Sequence, residues 1–214
     1  MSWTLALDTS TVVEAALVHD GRVAAAGSVD DARAHAEQLA PLVQRLLAEA
    51  GIAPGDLTSI VVGVGPGPFT GLRVGVATGM TLAEVLGVPV TGVCSLDAVA
   101  AQWAASGAPE EFLVLSDARR HEVYWARYDA TGQRLEGPHV SSPDAVPALP
   151  LSGPGAALAG DAIGPTRLSA AHLADPSLPD AGLEPLYLRR PDAEVSHQAK
   201  STLPRTRSAL GRTR

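Results

Sequence analysis

The chain has 214 residues, 46% apolar and 18% charged, which excludes a disordered polymer and leaves room for one large domain or two small lobes around a real core. Its formal net charge of −7 excludes a free-standing nucleic-acid binder, because neutralising phosphates needs a basic surface. One cysteine, Cys94, excludes an intrachain disulfide framework and fits a reducing compartment.

The charge is uneven. Residues 191–214 hold five basic side chains (Lys200, Arg205, Arg207, Arg212, Arg214) against Asp192 and Glu194, leaving 11 basic and 21 acidic residues elsewhere. No basic segment followed by a cleavable apolar run reads as a secretion signal, so a cytoplasmic location is expected. Residues 74–93 are apolar, but Glu84, Gly87 and Pro89 interrupt them, and no membrane span is expected. Lys200 is the sole lysine, so residues 1–199 carry neither a Schiff-base lysine nor a Walker-type phosphate lysine. Six scattered histidines form no HxxxH or HExxH pair, and no GxSxG elbow occurs. No metal ligand set, catalytic residue or cofactor of this chain is therefore expected.

In chain order, Trp3–Asp8 alternates like a strand, and Thr9-Ser10 breaks it. Val12–His19 and Arg22–Val29 flank Asp20-Gly21, a two-residue type I′ hairpin signal. From about Ala34 to Ala50, Leu39, Leu42, Val43, Leu46 and Leu47 share one helical face, with Pro41 expected to kink it and Gly51 to stop it. Ile60–Val64 and Pro89–Val93 read as strands, and Ser95 is the expected cap of a helix to about Ala105. A mixed α/β lobe results. After the Ser106–Pro109 junction, Phe112–Ser116 and Glu122–Tyr128 read as strands, and Thr131-Gly132 turns into a third. Ala156–Ala159 and Leu183–Leu188 are expected short strands. Residues 192–214 lack an apolar period and read as a solvated tail or a helix needing a partner.

Between two of these elements lies Gly65-Pro66-Gly67-Pro68-Phe69-Thr70-Gly71-Leu72-Arg73-Val74-Gly75. The order strand, glycine-proline turn, helix bares peptide N–H groups at a helix N-terminus, as a phosphate loop does. The helix then repeats Gly71, Gly75, Gly79 and Ala83, a smooth stripe costing about 0.8–1 kcal/mol of helix propensity per glycine relative to alanine. That cost calls for close packing, against the chain's own sheet or against another helix.

Asp8-Thr9-Ser10 after the first strand, the long glycine-proline motif, Asp117-Ala118-Arg119 with Glu122-Val123-Tyr124-Trp125, and Pro185-Leu186-Tyr187-Leu188-Arg189 together resemble the TsaB (YeaZ) family over roughly residues 3–190. Pro68 stands where serine is expected. The resemblance implies an α/β, two-lobed actin-like (ASKHA) fold with mixed sheets flanked by helices and an abbreviated second lobe. The lobes would cover residues 1–107 and 108–190, with interface helices at about 34–50 and 69–86 and a disordered basic tail at 191–214. It implies a non-catalytic scaffold for threonylcarbamoyl transfer to adenosine 37 of ANN-decoding tRNAs. Its partners would be a TsaD-like catalytic paralogue and a TsaE-like ATPase, with tRNA met only through the complex and a homodimer when alone. In the paralogue an HxxxH metal motif follows the strand that here ends at Val93; this sequence has Ser95 and Val99 at those positions.

The expected partner interface comprises Leu39, Leu42, Val43, Leu46, Gly71, Arg73, Gly75, Gly79 and Ala83. On that reading Gly75→Leu or Gly79→Leu abolishes the heterodimer and leaves the monomer folded. Asp8, Thr9, Ser10, Gly65 and Gly67 remain weak candidates for nucleotide contact. They belong to the rival reading, a small ATPase or kinase of the actin-like superfamily. Asp8 is otherwise expected to bond the Thr9/Ser10 amides, His35 to be a partly exposed neutral side chain, and Cys94 an inert buried thiol.

Overall fold

The computed structural model describes residues 1–30 and 35–188, with the side chains of residues 35–37 excluded. The expectations for the tail at 191–214, for Arg189 and for the His35 side chain lie outside the described residues.

Three strands open the chain: β1 (Trp3–Asp8), β2 (Val13–His19) and β3 (Arg22–Val29). Asp20 and Gly21 both take positive φ, 46° and 77°, as the hairpin turn requires. The helix α1 (His35–Ala50) runs through Pro41, and Gly51, at φ 69°, ends it. Then come β4 (Ser59–Gly63), α2 (Phe69–Leu86), β5 (Val90–Val93) and α3 (Ser95–Ser106). The five strands form one mixed sheet in the order β3-β2-β1-β4-β5, antiparallel at the hairpins and parallel from β1 through β4 to β5. A second sheet, β8-β7-β6-β9, joins β6 (Glu111–Arg119), β7 (Glu122–Asp129), β8 (Arg134–Ser141) and the short β9 (Leu151–Ser152).

The first sheet is a middle layer. Leu5 and Leu7 point to the side covered by α1 and α2, where they join Leu39, Leu42, Leu46, Ile60, Val62 and Val76. Ala6 points to the other side, into a cluster with Leu96, Val99, Trp103, Phe112, Tyr128, Leu168 and Leu173. Alternation along a strand sends successive side chains to opposite faces, so a strand buried on both sides must be apolar throughout. Small Ala6 and Ala16 on the second face leave room for the 3-10 turn at Ala170–Ala174, which packs directly on β1 and β2 and itself lies against α3. The outer face of the second sheet carries a smaller cluster around Leu113, Leu115, Val123 and Trp125.

Two expected strands are corrected. Residues Ala156–Leu158 form a 3-10 turn, and Leu183–Leu188 pair in no sheet. The latter run instead lies across the first sheet's parallel edge, where the Leu186 N–H donates to the Val64 carbonyl and the Ala181 N–H to that of Gly92. A 3-10 turn at Ala170–Ala174 also packs on this sheet, against β1, β2 and β4. Its lack of apolar periodicity hid it in the sequence.

The glycine stripe of α2 faces inward. A Cβ at Gly75 would overlap the Thr9 hydroxyl, and one at Gly79 would overlap Val62. Gly71 and Ala83 are buried beside them, as are Leu39, Leu42, Val43 and Leu46 of α1. The close packing that repays the stripe's poor helix propensity is thus made with the chain's own β1 and β4. The expectation that Gly75→Leu or Gly79→Leu leaves the monomer folded is corrected for the same reason. Either change should destabilise the chain by about 3 kcal/mol or more through overpacking. Gly55→Ala should be near neutral, since nothing lies within 4 Å of a Cβ there. Urea denaturation of the purified variants measures both.

Candidate functional site

Asp8 ends β1, fully buried, where β4, the glycine-proline loop and α3 converge. Its Oδ1 accepts from the Ser10 N–H at 2.7 Å and the Ser10 hydroxyl at 2.6 Å, and its Oδ2 from the Ser95 hydroxyl at 2.5 Å. Ser95 in turn accepts from the Gly65 N–H at 3.1 Å, and its own N–H donates to the Gly65 carbonyl. Ser95 is therefore not the helix cap expected from sequence. Cys94 holds the cap position, and the Ser95 hydroxyl turns back to Asp8. A hydroxyl aimed at a buried carboxylate is worth more than one at a solvated helix end, because the unpaired charge would be costly.

The neighbouring residues are equally enclosed. Thr9 donates its hydroxyl to the Gly71 carbonyl at 2.7 Å, fixing the first turn of α2. A Cβ at Gly67 would press on the Ser10 backbone, and Gly65 takes φ 92°, which suits glycine. So the structure gathers Asp8, Thr9, Ser10, Gly65 and Gly67 in one place, but all five are buried. The space bounded by Ser10, Pro66, Ser95, Leu96 and Leu168 has a volume of about 10 Å³, about enough for one water. A triphosphate has no room there.

Arg167 closes this region from the outside. Its guanidinium lies 2.7 Å from Asp30 and 3.6 Å from Glu14, the cross-strand neighbour of Asp8. Burial pushes the Glu14 carboxyl up to about 7, with Arg167 opposing and Asp8 adding to the shift. Sequence reasoning missed this pair, since only the register β1–β2 sets Glu14 against Asp8.

On the far side of α3, Asp97 accepts from the buried Tyr128 hydroxyl at 2.7 Å, and Arg134 lies 3.5 Å from its other oxygen. Burial raises its pKa and that of the adjacent Cys94, the latter to about 12, so the thiol stays protonated and inert. Among the described residues, no group of three or more His, Cys, Asp or Glu is arranged to hold a metal, and no helix is long and apolar enough to cross a membrane. Arg73 alone of the expected interface set is exposed. Its guanidinium sits 3.8 Å over the Phe69 ring, and its Nε donates to the Tyr187 hydroxyl at 3.0 Å.

Glu14 gives this region a defined pH response. Its folded-state pKa lies above the ordinary 4.5, so its contribution to stability is present in full below that value and is lost as pH rises through about 7. Glu14→Gln removes the titration. Between pH 5 and 8 the stability of the variant should gain on the parent by about 2 kcal/mol, read from urea denaturation at both pH values.

Comparison with known proteins places this geometry. Residues 30–174 match the family described as TsaD, tRNA N6-adenosine threonylcarbamoyltransferase. An uncharacterised protein of Mycobacterium tuberculosis is 46% identical over 209 residues, spanning 91% of this chain and 95% of that one. The tRNA threonylcarbamoyladenosine biosynthesis protein TsaB of Bacillus subtilis is 37% identical over 135 residues, 62% of this chain and 57% of that protein. The solved structure of YeaZ from Pseudomonas aeruginosa superposes with a TM-score of 0.67 at 31% identity, covering 81% of this chain and 89% of that one. The two mixed sheets flanked by helices are the actin-like arrangement of YeaZ. The chain belongs to the TsaB (YeaZ) family, within the wider TsaD-related group.

Proposed function

We propose that the chain serves tRNA threonylcarbamoyladenosine biosynthesis as a non-catalytic accessory subunit, docking a TsaD-like catalytic paralogue that transfers threonylcarbamoyl to adenosine 37 of ANN-decoding tRNAs. The observation that carries the non-catalytic reading is the closed Asp8 centre: its carboxylate is bonded to Ser10 and Ser95, and the space beside it measures about 10 Å³. An actin-like ATPase needs that position open to a metal-nucleotide. The positions that would carry the paralogue's histidines hold Ser95, committed to Asp8, and Val99, buried in the apolar core.

The docking surface is assigned to the outward faces of α1 and α2. The inward residues named from sequence, Leu39, Leu42, Val43, Leu46, Gly71, Gly75, Gly79 and Ala83, seat these helices on the sheet. The outward side offers exposed Val85 and a groove of about 180 Å³ between the two helices, rimmed by Ala40, Gln44, Thr78, Leu82 and Leu86 and floored by core residues that include Leu5 and Val43. A predominantly apolar groove between two helices suits a partner's helices, and the same surface could pair two copies of this chain isologously when the paralogue is absent. A TsaE-like ATPase would join the assembled pair, and tRNA would be met through it.

Two measurements test this. Ala77→Arg and Val85→Asp, both at exposed positions of α2, should each weaken co-purification with a TsaD-like paralogue at least about tenfold while leaving the thermal midpoint nearly unchanged. Retained complex in both variants would overturn the surface. Titration of the isolated chain with magnesium-ATP should give no saturable heat and no phosphate release; tight binding with turnover would establish the ATPase reading instead.

A further inference from the structure

The first turns of α2 carry a charge that nothing nearby in the chain balances. Arg73 is the only basic residue between Arg45 and Arg119, and no acidic residue occurs between Asp56 and Glu84. Its side chain is exposed, yet it is held in place. The guanidinium lies 3.8 Å over the ring of Phe69, one turn earlier on the helix, and 5.9 Å from the ring of Tyr187, whose hydroxyl accepts from its Nε at 3.0 Å. The two rings are themselves 4.9 Å apart. Arg45, Arg119, Arg127, Arg134 and Arg167 each pair with a carboxylate, whereas Arg73 makes no ion pair among the described residues. Its two Nη groups, the outer prongs of the planar fork, keep their donors unused within the described chain. Long exposed side chains ordinarily lose rotamer freedom when they bind. The aromatic pair has already imposed much of that loss on this one.

Phe69, Arg73 and Ala77 follow one another at intervals of four, so they share one side of α2. Phe69 and Met80, each nearly half exposed, and Val85 supply apolar surface along the same helix. A planar fork with two unused prongs fits a carboxylate or a phosphate. A nucleic-acid backbone calls for several cations, and this stretch offers one in a chain of net charge −7. A single carboxylate calls for one only. Arginine and tyrosine ringed by apolar contacts that exclude water are the usual composition of an interface hot spot, and exclusion of water strengthens an ion pair. We propose, resting on the docking surface assigned above, that Arg73 is the polar anchor of that surface: its guanidinium takes one Asp or Glu side chain from a helix of the TsaD-like paralogue, with Phe69 and Tyr187 walling the pair.

Isothermal calorimetry of the full chain with a TsaD-like paralogue tests this. Arg73→Gln should raise the Kd about tenfold or more and flatten its dependence on sodium chloride. Arg73→Lys keeps the charge but loses the planar fork, and should stay at least about threefold weaker than the parent. Arg22→Gln removes an equal charge from an exposed position at the start of β3 and should change neither quantity. On the paralogue's docking helices, one Asp or Glu changed to Lys should weaken binding of the parent chain and restore binding of Arg73→Glu. Unchanged affinity of Arg73→Gln, a loss matched by Arg22→Gln, or failure of every such reversal to restore Arg73→Glu would overturn the anchor. So would weaker tRNA binding by the assembled pair with pairing itself unaffected, which would assign the guanidinium to a phosphate. Loss of complex in Ala77→Arg and Val85→Asp but not in Arg73→Gln removes the anchor and leaves the docking surface standing; indifference of all three removes both.

Discussion

The carboxylate of Asp8 is the constraint on which the first half of the molecule depends. A fully buried charge is tolerable only when its oxygens are supplied with donors, and here the suppliers come from two separate places, the turn after β1 and the start of α3. Satisfying it fixes much else. Gly63 has no side chain because a Cβ there would overlap this carboxylate. Ser95 must be the first residue of its helix rather than the cap, and the glycine-proline loop is tied to it through both polar groups of the Gly65 backbone. Thr9, one residue on, then sets the first turn of α2 through the Gly71 carbonyl. The Asp-Thr-Ser tripeptide thus joins a strand, a loop and two helices.

This changes how the small-residue stripe of α2 should be understood. A stripe of glycines says that something comes close; it does not say what. In this chain the close neighbours are Thr9 and Val62, so the helix lies low on the sheet and its opposite side is left free for other contacts. The burial of Leu39, Leu42 and Leu46 does the same for α1. Two helices pressed firmly onto a sheet make a rigid platform, and rigidity reduces the ordering cost of docking.

Legibility in the sequence followed periodicity. The β1–β2–β3 meander and both long helices carry a repeat of two or of about four, strands such as β4 and β6 show as short unbroken apolar runs, and Asp20-Gly21 and Gly51 punctuate the chain where the backbone turns. What could not be read lacks such a repeat. The turns at 156–158 and 170–174 and the extended run at 183–188 owe their shape to the sheets they lie against. The pairing of Glu14 with Arg167 spans more than 150 residues and is set by tertiary register alone. Within the Asp8 centre, Asp8 and Ser10 were readable as a local turn, whereas Ser95 was not, because a serine opening a helix looks the same whether its hydroxyl caps the helix or turns away.

The return of residues 170–186 to the first sheet has a consequence for how the protein is made. The face of the sheet that carries Ala6 and Ala16 is covered by Leu168, Ala170 and Leu173, and the parallel edge at Val64 and Gly92 is hydrogen-bonded by Leu186 and Ala181. During synthesis from the N-terminus, the strands laid down first must wait with one side incompletely covered until nearly the whole described chain has emerged. Such distant closures are slow to form, and the waiting surface is open to misassociation.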